Sequence, residues 1–296
     1  MPCKAVPLSD LHGNIRGSNR DLAHSRYFTL DSCSPSSIGL RMRCEFSLVH
    51  YREILSVVTE SYEPCLFRTW SAKLGSPKPR ILMRHDVDHS LSMALELARI
   101  EAEFGVPATY FIQLHSSVYT VSSAKELVSV RELVSLGHEV GLHYDTGYYA
   151  ALGSDSEYAL RRDLKTLAEL AQVEVHSVSR HNPIDSTDIA NVGRLVPFDA
   201  YSAEFTKAAK YISDSSMSWR EGCVCQHLPR LREFQVLTHP VWWCSPGATL
   251  RDKLLACGEA VARAYLQDIE SLSTYYEKCL AIRSELDERH ELRKAP

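Results

Sequence analysis

Apolar and polar positions along this chain fall into short hydrophobic runs that end in histidine or aspartate, separated by stretches with helical periodicity. The first run, Ile81-Leu82-Met83, passes into Arg84-His85-Asp86-Val87-Asp88-His89; later ones end at Val140-Gly141-Leu142-His143-Tyr144-Asp145, Val178-Ser179-Arg180-His181 and Val236-Leu237-Thr238-His239. Continuous apolar runs of this length predict strands buried on both faces, as in parallel sheets. Between them, Ser90 caps a predicted helix carrying Leu91, Ala94, Leu95, Ala98 and Ile100, with Gly105 beyond its end. Thr109–Leu114 reads as the second strand, Ala124–Leu136 as a helix stopped by Gly137, Glu139–His143 as the third strand, and Ser156–Leu170 as a helix before a strand at Val173–Arg180. Further short strands are predicted at Phe198–Glu204, around Tyr211-Ile212 and at Phe234–Thr238. Strand–helix alternation with short connections implies a mostly parallel α/β sheet, open or closed into a barrel, whose site lies at the C-terminal strand ends.

The flanks read differently. Residues 1–43 lack periodic apolar pattern and are rich in Ser, Asn, Arg and Gly, which predicts a poorly ordered extension. Patterning starts at Phe46 with a helix through Tyr51, Ile54, Leu55 and Val58, opening a body at 44–248. From 249 to 296 an amphipathic stripe (Leu254, Val261, Tyr265, Ile269, Leu272, Tyr276, Leu280) predicts one or two helices packed across the barrel or against a neighbour, which leaves room for a homodimer.

Composition narrows the function classes. With 45% hydrophobic and 24% charged residues and a net charge of -4, the chain is an ordinary globule with no basic surface for nucleic acid or anionic membrane. No apolar run approaches the ~20 residues of a membrane helix, and no secretory signal is visible after Met1, so a cytoplasmic protein is expected. The nine cysteines are scattered; Cys223 and Cys225, one residue apart, suit neither a zinc knuckle nor a CxxC pair, and the reading is reduced thiols.

The chemistry is carried by the strand tips. Asp86 and Asp88 share one side of an extended chain because strand side chains alternate. One carboxylate can therefore ligate a metal while the other takes a proton from a water beside it. Zinc wants N and O ligands, typically three from the protein with a position left for water. An imidazole opposite, kept protonated by the carboxylates, can give its proton to a leaving amine. His239 before Pro240-Val241-Trp242-Trp243 is the strongest such candidate, with the two Trp as a pocket wall; His138 reads as structural, and His115, His176, His227 and His290 as packing or surface residues.

Arg84-His-Asp-Val-Asp88, Ala108-Thr-Tyr-Phe-Ile112, Gly137-His-Glu-Val-Gly-Leu-His143, Asp214-Ser-Ser-Met-Ser-Trp219 and Leu237-Thr-His-Pro240, in that order over about residues 46–245, resemble the polysaccharide deacetylase (NodB-homology, carbohydrate esterase 4-like) family, nearest its RHDVD-type branch. The resemblance implies a distorted (β/α) barrel, here with a C-terminal helical extension, and metal-dependent hydrolysis of an N-acetyl or N-formyl amide on an amino sugar or related small amine. It implies Asp86 as catalytic base, Asp88 and His143 as metal ligands, and His239 as general acid. Arg180, Asp214, Trp219 and Trp242 would bind substrate, the Asp214–Trp219 segment lining the groove and orienting the acid, and the ion would be zinc, with cobalt, manganese, iron or nickel as alternatives. The chain departs from the family pattern in two places. Gly147 stands where the second metal histidine is usual, and Arg180-His-Asn-Pro183 replaces an arginine followed by prolines. His181 from the neighbouring strand end or Asp145 could supply the missing ligand, with His181 preferred.

Two other function classes compete. A degenerate barrel could bind carbohydrate without hydrolysis, as Gly147 would allow, but a pure binder has no use for two acids and a proton donor. Asp86-Val-Asp88 also fits the short DxD pattern of glycosyltransferases, yet no phosphate-cradling glycine loop accompanies it. The expected partner is a small-molecule or glycan substrate.

Overall fold

A computed structural model describes residues 44–183, 189, 192–228 and 230–294. The predicted extension at 1–43 lies outside them. Eight strands form one sheet: β1 (Glu63–Cys65), β2 (Arg80–Val87), β3 (Thr109–Ile112), β4 (Glu139–Tyr144), β5 (Ser177–Arg180), β6 (Phe198–Asp199), β7 (Lys210–Ser213) and β8 (Glu233–Thr238). Their order is β6-β5-β4-β3-β2-β8-β7, with β1 added beside the first half of β2, and every pairing is parallel. The result is a half-barrel with helices around it, in keeping with the α/β barrel class expected. β2 is central and buried along all eight residues, which is why Ile81, Leu82 and Met83 lead up to the site.

The helices are α1 (Leu48–Ser61), α2 (Leu91–Glu103), α3 (Ala124–Ser135), α4 (Thr146–Ala151), α5 (Ser156–Ala171), α6 (Pro240–Cys244) and α7 (Leu250–Lys294). Ser90 caps α2 by accepting from the Met93 amide, and Gly105 and Gly137 follow α2 and α3 with φ of 66° and 93°, a region open to glycine. The strand predicted over Val173–Arg180 forms only at Ser177–Arg180, after α5 ends at Ala171 and Gln172 turns left-handed at φ 58°. The one predicted over Phe198–Glu204 shrinks to two residues before a π-turn begins at Glu204.

Gly141 shows how closely the sheet is packed. A Cβ there would lie 2.5 Å from Phe111 Cε1 and 2.8 Å from Ser177 Oγ. Gly141→Ala is expected to destabilise the fold by about 1–3 kcal/mol through overpacking, read as a lower denaturant midpoint at unchanged slope.

A second buried group ties α2 to the strand that carries the site. Glu101 accepts from Tyr51 Oη (2.5 Å), Tyr110 Oη (2.6 Å) and His85 Nε2 (2.8 Å), while His85 Nδ1 meets Thr238 Oγ1 at 2.6 Å. His85 therefore faces α2, and Arg84, Asp86 and Asp88 face the opposite side, as period two requires.

The C-terminal stripe forms a helix, as expected. α7 is one continuous helix of 45 residues, about 65 Å long at its rise per residue. Lys253 and Cys257 are buried, but Val261, Tyr265, Ile269, Leu272, Tyr276 and Leu280 are exposed. The predicted packing across the barrel thus holds only for the first turns, since no break folds the helix back. None of the described helices is long and apolar enough to cross a membrane.

Candidate active site

The C-terminal ends of β2, β4, β5, β7 and β8 surround a cavity of about 550 Å³. Asp86, Asp88, His143, Arg180, His181, His239 and Trp242 all line it, with Tyr201, Tyr211, Ser213, Ser215, Ser216 and Arg220. Five strand ends, up to 151 residues apart in sequence, are thus brought together by parallel pairing alone.

Three side chains converge tightly. His143 Nε2 lies 3.1 Å from Asp88 Oδ1, His181 Nδ1 lies 3.5 Å from the same oxygen, and the two ring nitrogens are 3.1 Å apart. These atoms all fall within 4.8 Å of one another. His143 Nδ1 meets the Ser179 carbonyl at 3.1 Å. A carbonyl only accepts, so Nδ1 carries the proton and Nε2 presents its lone pair to the cluster. Asp88 Oδ1 is buried with no hydrogen-bond partner although two imidazoles face it. An orphaned carboxylate oxygen between nitrogens that face a common point is the donor set a divalent cation such as zinc takes.

The position of His181 follows from register. His143 pairs with Ser179 and Tyr144 with Arg180, so the first residue beyond β5 arrives beside the tip of β4. Asp145, the other candidate, is turned to a different use: its Oδ1 accepts from the Gly147 amide at 2.8 Å and the Tyr148 amide at 3.2 Å, capping α4.

Asp86 sits 3.9 Å from His143 Nε2 and is held by a group that the sequence reading left out. Arg84, two residues earlier on the same face, donates to both oxygens, Nε to Oδ1 at 2.9 Å and Nη2 to Oδ2 at 2.8 Å. Ser179 Oγ donates to Oδ2 at 3.1 Å and accepts from Arg84. Burial alone would raise the Asp86 pKa, but the bidentate guanidinium outweighs it and holds the carboxyl below its usual range. The period-two spacing of Arg84 and Asp86 was the available signal.

His239 faces the cluster from the other side, its Nε2 3.7 Å from Asp88 Oδ2. Its Nδ1 donates to Asp214 Oδ1 at 2.6 Å, and its backbone amide donates to Asp214 Oδ2 at 3.0 Å. Burial opposes charge on the ring, yet Asp214 beside it, with Asp88 and Asp86 beyond, pushes its pKa up to about 9. His239 therefore holds its proton more tightly than an ordinary imidazole.

Asp214 and Trp219, expected to line the groove, do not line it, although Asp214 does meet the acid as expected. Asp214 is fully buried and does not line the cavity; it spends its oxygens on His239 and on the Trp243 indole N–H at 2.9 Å. Its place is behind the histidine, because it follows β7 directly and its amide donates to the Leu237 carbonyl of β8, two residues before His239. Trp219 also misses the cavity, stacking instead on Phe46 at 5.9 Å and meeting Trp243 edge-on at 6.3 Å. Arg180 and Trp242 do reach the cavity, and the Trp242 indole N–H is buried without a hydrogen-bond partner.

No family model and no curated protein matches the chain. Among solved structures, a CE4 family pseudoenzyme from Bacillus anthracis is similar at 14% identity and a TM-score of 0.37, over 62% of this chain and 62% of that one. The chain thus spans less than two thirds of that protein. A family 4 acetyl xylan esterase from Clostridium thermocellum, in complex with cobalt, is similar at 12% identity and TM-score 0.35, covering 62% of this chain and 84% of that one. Peptidoglycan deacetylase PdaC from Bacillus subtilis follows at 9% identity and TM-score 0.36, covering 68% and 96%. A CE4 family pseudoenzyme, a family 4 esterase and a peptidoglycan deacetylase are thus among the neighbours, but likeness this distant carries no argument of its own, and what the cavity does must come from its residues.

Proposed function

We propose that the chain is a metal-dependent hydrolase that removes an N-acetyl or N-formyl group from an amino sugar or related small N-acylated amine. The observation that carries this reading is a pair of oppositely partnered groups lining one cavity: Asp86 bound by the Arg84 guanidinium, and His239 bound to the Asp214 carboxylate, with the Asp88 carboxylate close to His239. Base and acid are ready for opposite proton transfers at the same pH, which a binding module does not need.

Asp88, His143 and His181 would hold the ion, zinc best suiting two imidazoles and a carboxylate. When bound, it supplies Lewis-acid activation of a water and of the acyl oxygen. The chain's own residues do the rest. Asp86 accepts the proton of the attacking water, its lone pairs aimed by Arg84 and Ser179. His239 Nε2 delivers a proton to the departing amine nitrogen, while Asp214 on Nδ1 fixes the ring and stabilises its charge. The hydroxyls of Tyr201, Tyr211, Ser213, Ser215 and Ser216, with Arg180 and Arg220, offer the hydrogen bonds a sugar requires, and Trp242 offers a stacking face.

A panel of N-acetylated and N-formylated amino sugars, assayed for released amine, tests the reading. Turnover is expected on at least one substrate, falling by about 10²–10⁴-fold in Asp86→Asn and in His239→Ala. Saturable sugar binding with no amine release from metal-loaded protein would favour the non-hydrolytic barrel instead.

A further inference from the structure

A second set of metal-ligating side chains lies away from the cavity, where the sequence suggested only scattered thiols. Cys44 precedes α1, His50 lies in its first turn, and Cys223 and Cys225 come from the loop between β7 and β8. Their four ligand atoms lie within 4.8 Å of one another. Cys44 Sγ is 3.3 Å from Cys225 Sγ, and His50 Nε2 is 3.2 Å from Cys223 Sγ. We propose that Cys44, His50, Cys223 and Cys225 form a structural zinc site.

The donor chemistry supports it. Three thiolates and one imidazole make a closed tetrahedral set, and edges of roughly 3.5–3.8 Å follow from the metal–ligand lengths of such a site. The Cys44–Cys225 and His50–Cys223 separations, 3.3 and 3.2 Å, lie within a few tenths of an ångström of those edges, and the other pairs lie within 4.8 Å. A sulfur–sulfur distance of 3.3 Å is well beyond the ~2.05 Å of a disulfide. His50 is already oriented as a ligand: its Nδ1 meets the Glu53 carboxylate at 3.0 Å, so that nitrogen carries the proton and Nε2 turns its lone pair toward Cys223. A carboxylate behind a ligating histidine is the usual support of such a bond. Gln226 Nε2 approaches Cys44 Sγ at 3.9 Å and donates toward the sulfur. Zinc binding releases the thiol protons to solvent and leaves four filled positions, so the ion has a structural task.

That task is legible in the packing. Phe46, two residues after Cys44, stacks on Trp219 and meets Trp243 edge-on at 5.3 Å, and the His50 ring lies 6.3 Å from that of Trp243. Trp243 donates to Asp214, which holds His239. Zinc would clamp the start of α1 to the 223–225 loop and so fix the wall behind the active-site histidine.

Cobalt substitution of the reduced full-length chain separates this centre from the one in the cavity, which has no sulfur. A thiolate-to-cobalt charge-transfer band is expected, bleached by equimolar zinc, retained in Asp88→Ala and lost in Cys223→Ser/Cys225→Ser. Because the double variant could unfold, His50 supplies a second readout: His50→Cys should keep the band with four thiolates, and His50→Ala should weaken cobalt affinity by at least tenfold. In zinc-loaded wild type, Cys44, Cys223 and Cys225 should resist alkylation until a chelator is added. Absence of the band in wild type, its survival without Cys223 and Cys225, equal alkylation with and without zinc, or a Cys44–Cys225 disulfide in protein kept reduced would each overturn the proposal.

Discussion

Asp88→Ala is expected to strip the cavity of its ion and to lower amide hydrolysis by at least ~10³-fold, since Lewis-acid stabilisation worth several kcal/mol disappears with it. Asp88 is the hub of the cluster: Oδ1 faces His143 and His181, and Oδ2 faces His239. Burial disfavours its charge, but the surrounding imidazoles hold its pKa well below the ordinary carboxylate range, so it is ionised and ready to ligate at any pH near neutrality. Metal analysis beside the rate assay checks the claim, and two companions sharpen it. His181→Ala should also lose stoichiometric metal. Asp145→Ala should keep it, costing only the ~1 kcal/mol of a helix cap. Retention in His181→Ala with loss in Asp145→Ala would move the third ligand.

Arg84→Met is expected to damage both stability and rate. The guanidinium is fully buried and its strongest partner is Asp86, itself almost inaccessible. Removing one member of a buried pair leaves an uncompensated charge and costs about 3–5 kcal/mol, whereas replacing both members with apolar groups is often near neutral. Arg84→Met/Asp86→Leu should therefore unfold at higher denaturant than Arg84→Met alone, while remaining inactive. The single variant also has a pH signature. Asp86 must be ionised to accept a proton, and its native pKa is depressed. The stability it contributes is therefore present above its unfolded pKa of ~3.9 and is lost as pH falls through the lower folded value. Without Arg84, burial is no longer outweighed, the carboxyl's pKa rises, and the acid limb of the rate profile should move to higher pH. An unmoved limb would mean that Asp86 is not the base, and a single variant as stable as the double would mean that the pair is not what holds the strand end.

Much of this site can be read from local pattern, because parallel α/β folds gather C-terminal strand ends on one side and a strand's side chains alternate. Arg84, Asp86 and Asp88 occupy one face of β2 for that reason, and Ser90 announces the next helix just beyond them. The Asp214–Trp219 segment was expected to orient the acid, but which of its side chains does so was not legible in the same way. Asp214 and Trp219 both belong to a segment placed at the cavity's edge, and which way each side chain turns depends on Trp243 and Phe46, residues remote in sequence.

Sequence by itself determined the parallel α/β class, the helix caps and the set of strand tips that carry acids and imidazoles, since each is encoded within a few neighbouring residues. Tertiary structure supplied the reason why His181, already preferred over Asp145, stands beside His143. That depends on the β4–β5 register, and on Asp145 being committed to backbone amides two and three residues ahead. It also decided that α7 leaves the core after its first turns, and that Cys44 meets Cys225 across 181 residues. Contacts at such separations are set by how strands and helices stack, and no local periodicity records them.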